Sequence, residues 1–268
     1  MTNSYIQGYM ASEQDRLRKQ SKFWKEKLIL RDLGIKTNTK KTLLEIGCGI
    51  GSVLEIFAET FPNIELSGID IEEKQINLAC SSLKNRYSHK IDLRVGNANN
   101  LPWKNNSFDY IFGIWFLEHI KEPTPILKEC YRVLKPGGKI ILIESDLMSL
   151  FTYPESSEYL YLKQSMWELL DKNGNAYIGR TFGFLLDNIG FINISNNLCG
   201  YNYWGAELAE YVDYICDWLK PHITKMVEQL NKNELKLWSG LSFFQSLKHN
   251  SSASASVSIY KAYGFKPL

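Results

Sequence analysis

From about residue 42 onward, short apolar runs alternate with segments of helical period, and this alternation predicts strands and helices in turn. Leu43-Leu44-Glu45-Ile46 begins the series as a strand. Residues 64–70 form a second run that ends in Asp70, 107–115 an aromatic-rich buried strand, and 140–143 a further one fed by the turn Lys135-Pro136-Gly137-Gly138. A helix is predicted from about Thr124. Strands separated by helices require crossover connections, so the sheet is expected to be mostly parallel. Upstream, Leu17, Ser21, Trp24 and Leu28 share one helical face, which predicts an amphipathic helix from Ser12 to about Leu30. Ser12 is placed to cap it, with Glu13 and Asp15 in the first turn. The basic stretch 36–41 reads as a solvated linker.

Past residue 150 the pattern changes. Residues 154–170 and 181–188 read as helices, closed by Asn173-Gly174-Asn175 and by Gly190, and 191–195 as a strand. Residues 204–248 then give two or three helices broken at Pro221, before the alternating run 254–263 forms the last strand. The organisation expected is an N-terminal helical arm over 1–40, a main domain over 41–200 and 251–268, and a helical lid insert over 201–250. Tyr201, Tyr203, Trp204, Tyr211, Tyr214 and Trp218 make the insert aromatic, fitted to its own core, a dimer face or a substrate.

The chemistry concentrates at Glu45-Ile46-Gly47-Cys48-Gly49-Ile50-Gly51. Glycines at this spacing make a tight strand-to-helix turn on whose backbone a ligand can rest. A dinucleotide site has its third glycine one position later, where this chain has Ser52, and Glu45 would repel a pyrophosphate. The carboxylate suits a cationic ligand instead. Asp70 lies roughly 20 residues beyond the turn, where nucleoside-binding folds place the acid that grips ribose hydroxyls. Ile71 can lie against a purine face.

In order, the glycine turn, Asp70, Gly96-Asn97-Ala98, Leu117-Glu118-His119 and the Pro136-Gly137-Gly138 turn resemble class I S-adenosylmethionine-dependent methyltransferases of the ubiquinone-biosynthesis-like, small-molecule group. The opening Gln7 to Leu17 is similar to a subgroup that includes the teleocidin C-methyltransferase, in which the arm folds over the cofactor. The resemblance implies an α/β, Rossmann-like sheet of seven strands, mostly parallel with an antiparallel last strand. It places Glu45 and the Gly47 backbone at the methionine part of S-adenosylmethionine and Gly49 in the cradle. Asp70 would meet the ribose, Asn97 and Ala98 the adenine edge, and the backbone of Ile114 and Trp115 the methionine amine. Asn97 departs from the usual Asp, but its amide oxygen can still accept from adenine. Tyr5, Tyr9, Trp115 and Phe116 are candidates to face the sulfonium, with plain strand packing the alternative for the last two. Arg16 is either a partner of the cofactor carboxylate or an exposed residue on a solvated face. His119 is the candidate general base, and the alternative is that it orients a loop. Glu118 reads as a hydrogen-bonding residue at the approach to the helix, and Glu144 and Asp146, after the fifth strand, as facing a substrate mouth or lying in a solvated loop.

The formal net charge of +2, with the signs interspersed, provides no field for nucleic acid or an anionic membrane. Five scattered cysteines without a Cys-x-x-Cys pair argue against a disulfide framework and a zinc site, and fit a reducing cytoplasm. No leader and no membrane-spanning run of ~18 apolar residues is expected. The leading expectation is a methyltransferase acting on a small aromatic or apolar metabolite, with a homodimer through the aromatic insert left open. A cofactor-binding protein without transfer activity is the alternative, and nicotinamide-dependent oxidoreduction is disfavoured by Glu45.

Overall fold

The computed structural model describes residues 11–36, 39–87 and 90–268. Seven strands form one sheet: β1 Lys41–Ile46, β2 Ile64–Asp70, β3 Ile91–Val95, β4 Phe108–Ile114, β5 Leu134–Tyr153, β6 Ile192–Trp204 and β7 Ser254–Phe265. Their order is β3-β2-β1-β4-β5-β7-β6. The first five pair in parallel, and β7 is antiparallel to both β5 and β6. Helices α2 Ser52–Thr60, α3 Glu73–Tyr87 and α4 Thr124–Val133 make the crossovers. The central strands are apolar almost throughout because helices cover both faces: Leu43, Leu44, Ile46, Ile111 and Phe112 are fully enclosed. The doubly wound sheet expected from the alternation is present. β5 and β6 run much longer than their apolar cores suggested, because pairing along β7 sustains them.

The remaining helices are α1 Ala11–Trp24, α5 Ser157–Asn173, α6 Ile178–Ile189, α7 Gly205–Leu219, α8 Ile223–Leu230 and α9 Glu234–Ser246. Tyr201, Tyr203 and Trp204 belong to β6, so the helical insert starts at Gly205 rather than 201. Pro221 lies in a single 3₁₀ turn between α7 and α8, where its missing N–H breaks the run. The cap over the sheet is larger than the insert, since α8 and α9 pack on α5 and α1 packs on α7. Gly240 permits the closest of these contacts, because a Cβ there would strike the backbone of Glu158.

The arm differs from its sequence reading. Ser12 lies within α1, not ahead of it, and the buried face is Glu13, Arg16, Gln20, Ser21 and Trp24, more polar than expected. Trp24 continues into a π-helical turn, Lys25–Ile29, that buries Leu28 and Ile29. Two buried lysines on the sheet fasten the segment that follows. Lys139 Nζ donates to the Leu33 carbonyl at 2.8 Å, and Lys261 Nζ donates to the carbonyls of Leu28 and Arg31. Tyr201 adds its hydroxyl to the Lys27 carbonyl at 2.9 Å. These bonds satisfy carbonyls at a helix end that would otherwise be orphaned.

Burial brings the Lys261 ammonium down to about 8. A lysine depressed on folding binds its proton less readily in the native state than in the unfolded chain, so native stability rises as pH climbs from about 8 toward the unfolded lysine value. Thermal melts of the wild type and Lys261→Met should therefore diverge in favour of the wild type over that window. Parallel curves would show that Lys261 does not titrate in it.

Candidate active site

The order β3-β2-β1-β4-β5 reverses winding between β1 and β4, and the crevice at their carboxyl ends is where such sheets bind ligands. A cavity of ≈ 220 Å³ occupies it. Its floor is the glycine turn, where Gly47, Gly49 and Gly51 have φ of +67°, +50° and +76°, a region that carries a Cβ penalty. A Cβ on Gly47 would run into the Phe116 ring and one on Gly51 would meet Leu83, whereas one on Gly49 would find open space. Gly49 is therefore the point at which the backbone is bare to a ligand.

Two carboxyls flank this floor. Asp70 accepts from the N–H of Gly49 and from that of Glu72, both at 2.9 Å, which fixes it under the turn. Glu45 is 3% exposed, and its Oε2 has no partner. Burial, with Asp70 nearby, raises the Glu45 carboxyl well above the usual range, and burial raises Asp70 as well. The carboxylate anticipated at Glu45 is thus in place, but it favours its protonated form until a cation joins it. Ile71, 63% exposed, lines the same end.

The opposite wall is the segment after β4. Ile114 and Trp115 line the cavity, and Trp115 takes φ +48°, a conformation that is costly for a bulky residue. Its N–H donates to the Ile143 carbonyl at 3.0 Å and its indole Nε1–H to Ser145 at 2.9 Å. Beyond it, Glu144 Oε1 accepts from the backbone N–H groups of Phe116, Leu117 and Glu118 at 3.0, 2.7 and 3.3 Å. The sequence reading of Glu144 as a solvated loop residue is corrected, because it is 1% exposed and organises this wall. Trp24, Tyr211, Tyr214 and Trp218 close the roof.

Arg16 and His119 both reach the cavity, but neither is in the state expected of it. Arg16 is 5% exposed, so it is no solvated surface residue. Its guanidinium is gripped by both oxygens of Glu13, at 2.7 and 2.6 Å, and donates to Gln20, which in turn donates to the Tyr214 hydroxyl at 3.1 Å. The pairing with Glu13 follows from burial, which demands that the charge be neutralised locally. For His119, burial and the neighbouring His222 and Arg16 bring the imidazole down to about 3, which makes it a weak proton acceptor. Glu118, by contrast, is a cavity-lining carboxyl that burial pushes up to about 7 against the pull of Arg16. Sequence reasoning gave it only a hydrogen-bonding role, since nothing in Leu-Glu-His announces a dry chamber.

Asn97 and Ala98 do not line the cavity. Asn97 is exposed, with its Oδ1 accepting from Asn99 N–H at 2.9 Å, and Ala98 is buried in the core. An asparagine in this loop caps the local turn instead of facing inward. Tyr9, and with it Tyr5, lies outside the described residues.

A doubly wound sheet that ends in an antiparallel hairpin, with a glycine turn and two acids at its switch point, defines the class I methyltransferase fold. Residues 44–142 match the family model described as "Methyltransferase domain". Among curated proteins, the chain is 31% identical over 157 residues to an uncharacterised methyltransferase of Schizosaccharomyces pombe, covering 55% of this chain and 56% of that protein. It is 32% identical over 151 residues to the demethylmenaquinone methyltransferase of Lactococcus lactis, covering 55% and 58%. The chain thus spans little more than half the length of these relatives. Among solved structures, phosphoethanolamine N-methyltransferase 2 of Haemonchus contortus in complex with S-adenosyl-L-methionine shares the fold with a TM-score of 0.56 at 20% identity, over 95% of this chain and 53% of that one.

If Glu144 holds the wall, Glu144→Ala should destabilise the protein by about 2–4 kcal/mol in urea unfolding, because buried N–H groups lose their acceptor. Glu144→Gln, which keeps an oxygen there, should lose less. Equal losses would dismiss the three-donor arrangement as the reason.

Proposed function

We propose that the protein is an S-adenosylmethionine-dependent methyltransferase that transfers a methyl group, in line, to a small aromatic or apolar metabolite. The observation that carries this reading is the unpartnered Glu45 Oε2 beside Asp70 and the bare backbone of Gly49. A buried carboxyl pair with no cation is costly, and a ligand that is cationic at one end and nucleoside at the other would relieve it. A pyrophosphate would worsen it, which counts against a nicotinamide dinucleotide.

When bound, S-adenosylmethionine supplies a methyl group already activated on a sulfonium. The Gly47–Gly49 backbone and Glu45 would hold the methionine part, and the backbone at Ile114 and Trp115 its amine. Asp70 would take the ribose hydroxyls and Ile71 the purine face. Asn97 and Ala98, which are not among the lining residues of the cavity, are left out of the adenine contact. Arg16, held by Glu13, would shape the roof rather than pair with the ligand carboxylate. The aromatic rings of the roof would keep water out and align the acceptor with the methyl. Helices 205–246, with α1 and α5, form the lid in this reading.

The acceptor is small because the chamber is small, and neutral because its described lining offers no arginine or lysine besides the committed Arg16. Nucleic acid is not proposed as a substrate. Among the described residues no helix is long and apolar enough to cross a membrane, and all five cysteines are free, which supports a cytoplasmic protein. A homodimer through the insert aromatics is not proposed, since Tyr203, Tyr211 and Trp218 are buried within one copy.

Calorimetric titration should show binding of S-adenosylhomocysteine and none of NAD; tight NAD binding alone would overturn the reading. Gly49→Ala should lower affinity at least about 10-fold while costing only roughly 1–2 kcal/mol of stability, since its methyl meets ligand space and a left-handed backbone. Affinity for S-adenosylmethionine should fall as pH is lowered, because the raised Glu45 and Asp70 carboxyls take up protons and cease to attract the cation. Glu45→Gln should flatten that dependence. An affinity indifferent to both pH and Glu45 would remove the electrostatic basis of the assignment.

A further inference from the structure

At the end of the cavity away from Asp70 stands a carboxyl that cofactor binding does not use. Glu118 sits on the short turn Leu117–His119 and lines the chamber together with Trp115, Tyr214 and Trp218. Its backbone is immobilised from both sides. The N–H is held by Glu144, and the carbonyl accepts from Asn175 N–H at 2.8 Å. Gly174 packs so closely on that carbonyl that a Cβ would collide with it. A carboxyl carried on such a fixed backbone, in a chamber walled by aromatic rings, is positioned rather than merely present.

Its charged and titratable neighbours come from every element packed around it. Arg16 on α1 is already paired with Glu13, and Glu144 on β5 is a second buried carboxyl. His119 Nε2 lies 3.6 Å from Glu118 Oε1, and Tyr214 comes from α7. Burial favours proton uptake at Glu118 and Arg16 restrains it, while burial and the nearby Glu118 raise Glu144. Burial thus makes Glu118 a stronger proton acceptor than an ordinary exposed carboxylate, which is what a general base needs. His119, emptied of basicity by the same burial, cannot compete.

We propose that Glu118 is the catalytic proton acceptor of the reaction and that the methyl acceptor is a neutral aromatic molecule with an acidic hydroxyl, such as a phenol or an enol. The inference rests on the methyltransferase reading above. The acceptor oxygen uses one lone pair to bond the methyl carbon, and the carbon–sulfur pair stays on sulfur. The hydroxyl proton passes to the Glu118 carboxylate, which returns it to water when the chamber opens. Charge balances: cationic donor, neutral acceptor and carboxylate become neutral thioether, neutral ether and carboxylic acid. A phosphorylated acceptor would face Glu45, Asp70 and Glu118 with no uncommitted arginine or lysine among the described lining residues.

The test uses 7-hydroxycoumarin, a bicyclic phenol whose absorption distinguishes phenol from phenolate. Wild type and Glu118→Gln are each saturated with S-adenosylhomocysteine and titrated with the probe at pH 7. The expected result is a bound phenolate band in the wild type and a bound phenol band in the variant. In wild type labelled with ¹³C-glutamate, infrared difference spectra should show a protonated-carboxyl band appearing as the probe binds, a readout that does not depend on the variant folding. The same band in both proteins, no probe binding, or no new carboxyl band would overturn the role of Glu118. Failure of the wild type to bind S-adenosylhomocysteine would instead defeat the methyltransferase reading.

Discussion

The wall of the cavity hangs on a single carboxyl oxygen. Glu144 Oε1 takes the amide hydrogens of Phe116, Leu117 and Glu118, three donors at the start of a turn too short to satisfy them itself. Because Glu144 ends the parallel part of β5, a rigid strand dictates where that turn lies. Everything facing the floor follows from it: the left-handed Trp115, the Phe116 ring that forbids a side chain at Gly47, and the inward carboxyl of Glu118. The backbone strain at Trp115 is tolerated because Ile143 and Ser145, on the same strand, hold both its N–H and its indole.

A chamber lined by acids and aromatic rings needs a cover, and the cover has to bring its own neutralised charge. Helix α1 meets this need by burying an ion pair, Arg16 with Glu13, and extending it through Gln20 to Tyr214 on α7. Its apolar continuation runs under stacked rings, with Phe23 on Tyr214 and Tyr203 on Tyr211 at centroid distances of 5.1 and 4.1 Å. The arm is then tied down by Lys139, Lys261 and Tyr201, which donate to its carbonyls. The insert, the arm and α5 thus form one roof, assembled from parts far apart in the chain. Three carboxyl groups, Glu45, Asp70 and Glu118, are left lining the cavity beneath it.

Much of this was written in the order of residues. The glycine spacing, Glu45, Asp70 and the alternation of strands and helices identified the floor and the doubly wound sheet, because tight turns and buried strands depend on neighbours close in sequence. Asn97 is tied to a local turn through its Oδ1, an interaction that its spacing in the sequence did not announce. Arg16 was left open between a cofactor partner and a solvated face; it is buried and lines the cavity, and its partner three residues away on the same helix was overlooked, although an i, i+3 pair of opposite charge was there to be seen.

What the sequence determined by itself, then, was the sheet, the turn and the two acids that flank it. What only the tertiary structure decided was which ionisable groups could work. His119 and Glu118 are adjacent in the chain and share one chamber, yet burial takes the proton affinity of one away and raises that of the other. That division arises from desolvation, and desolvation is a property of the roof assembled over them, which no stretch of a few residues encodes.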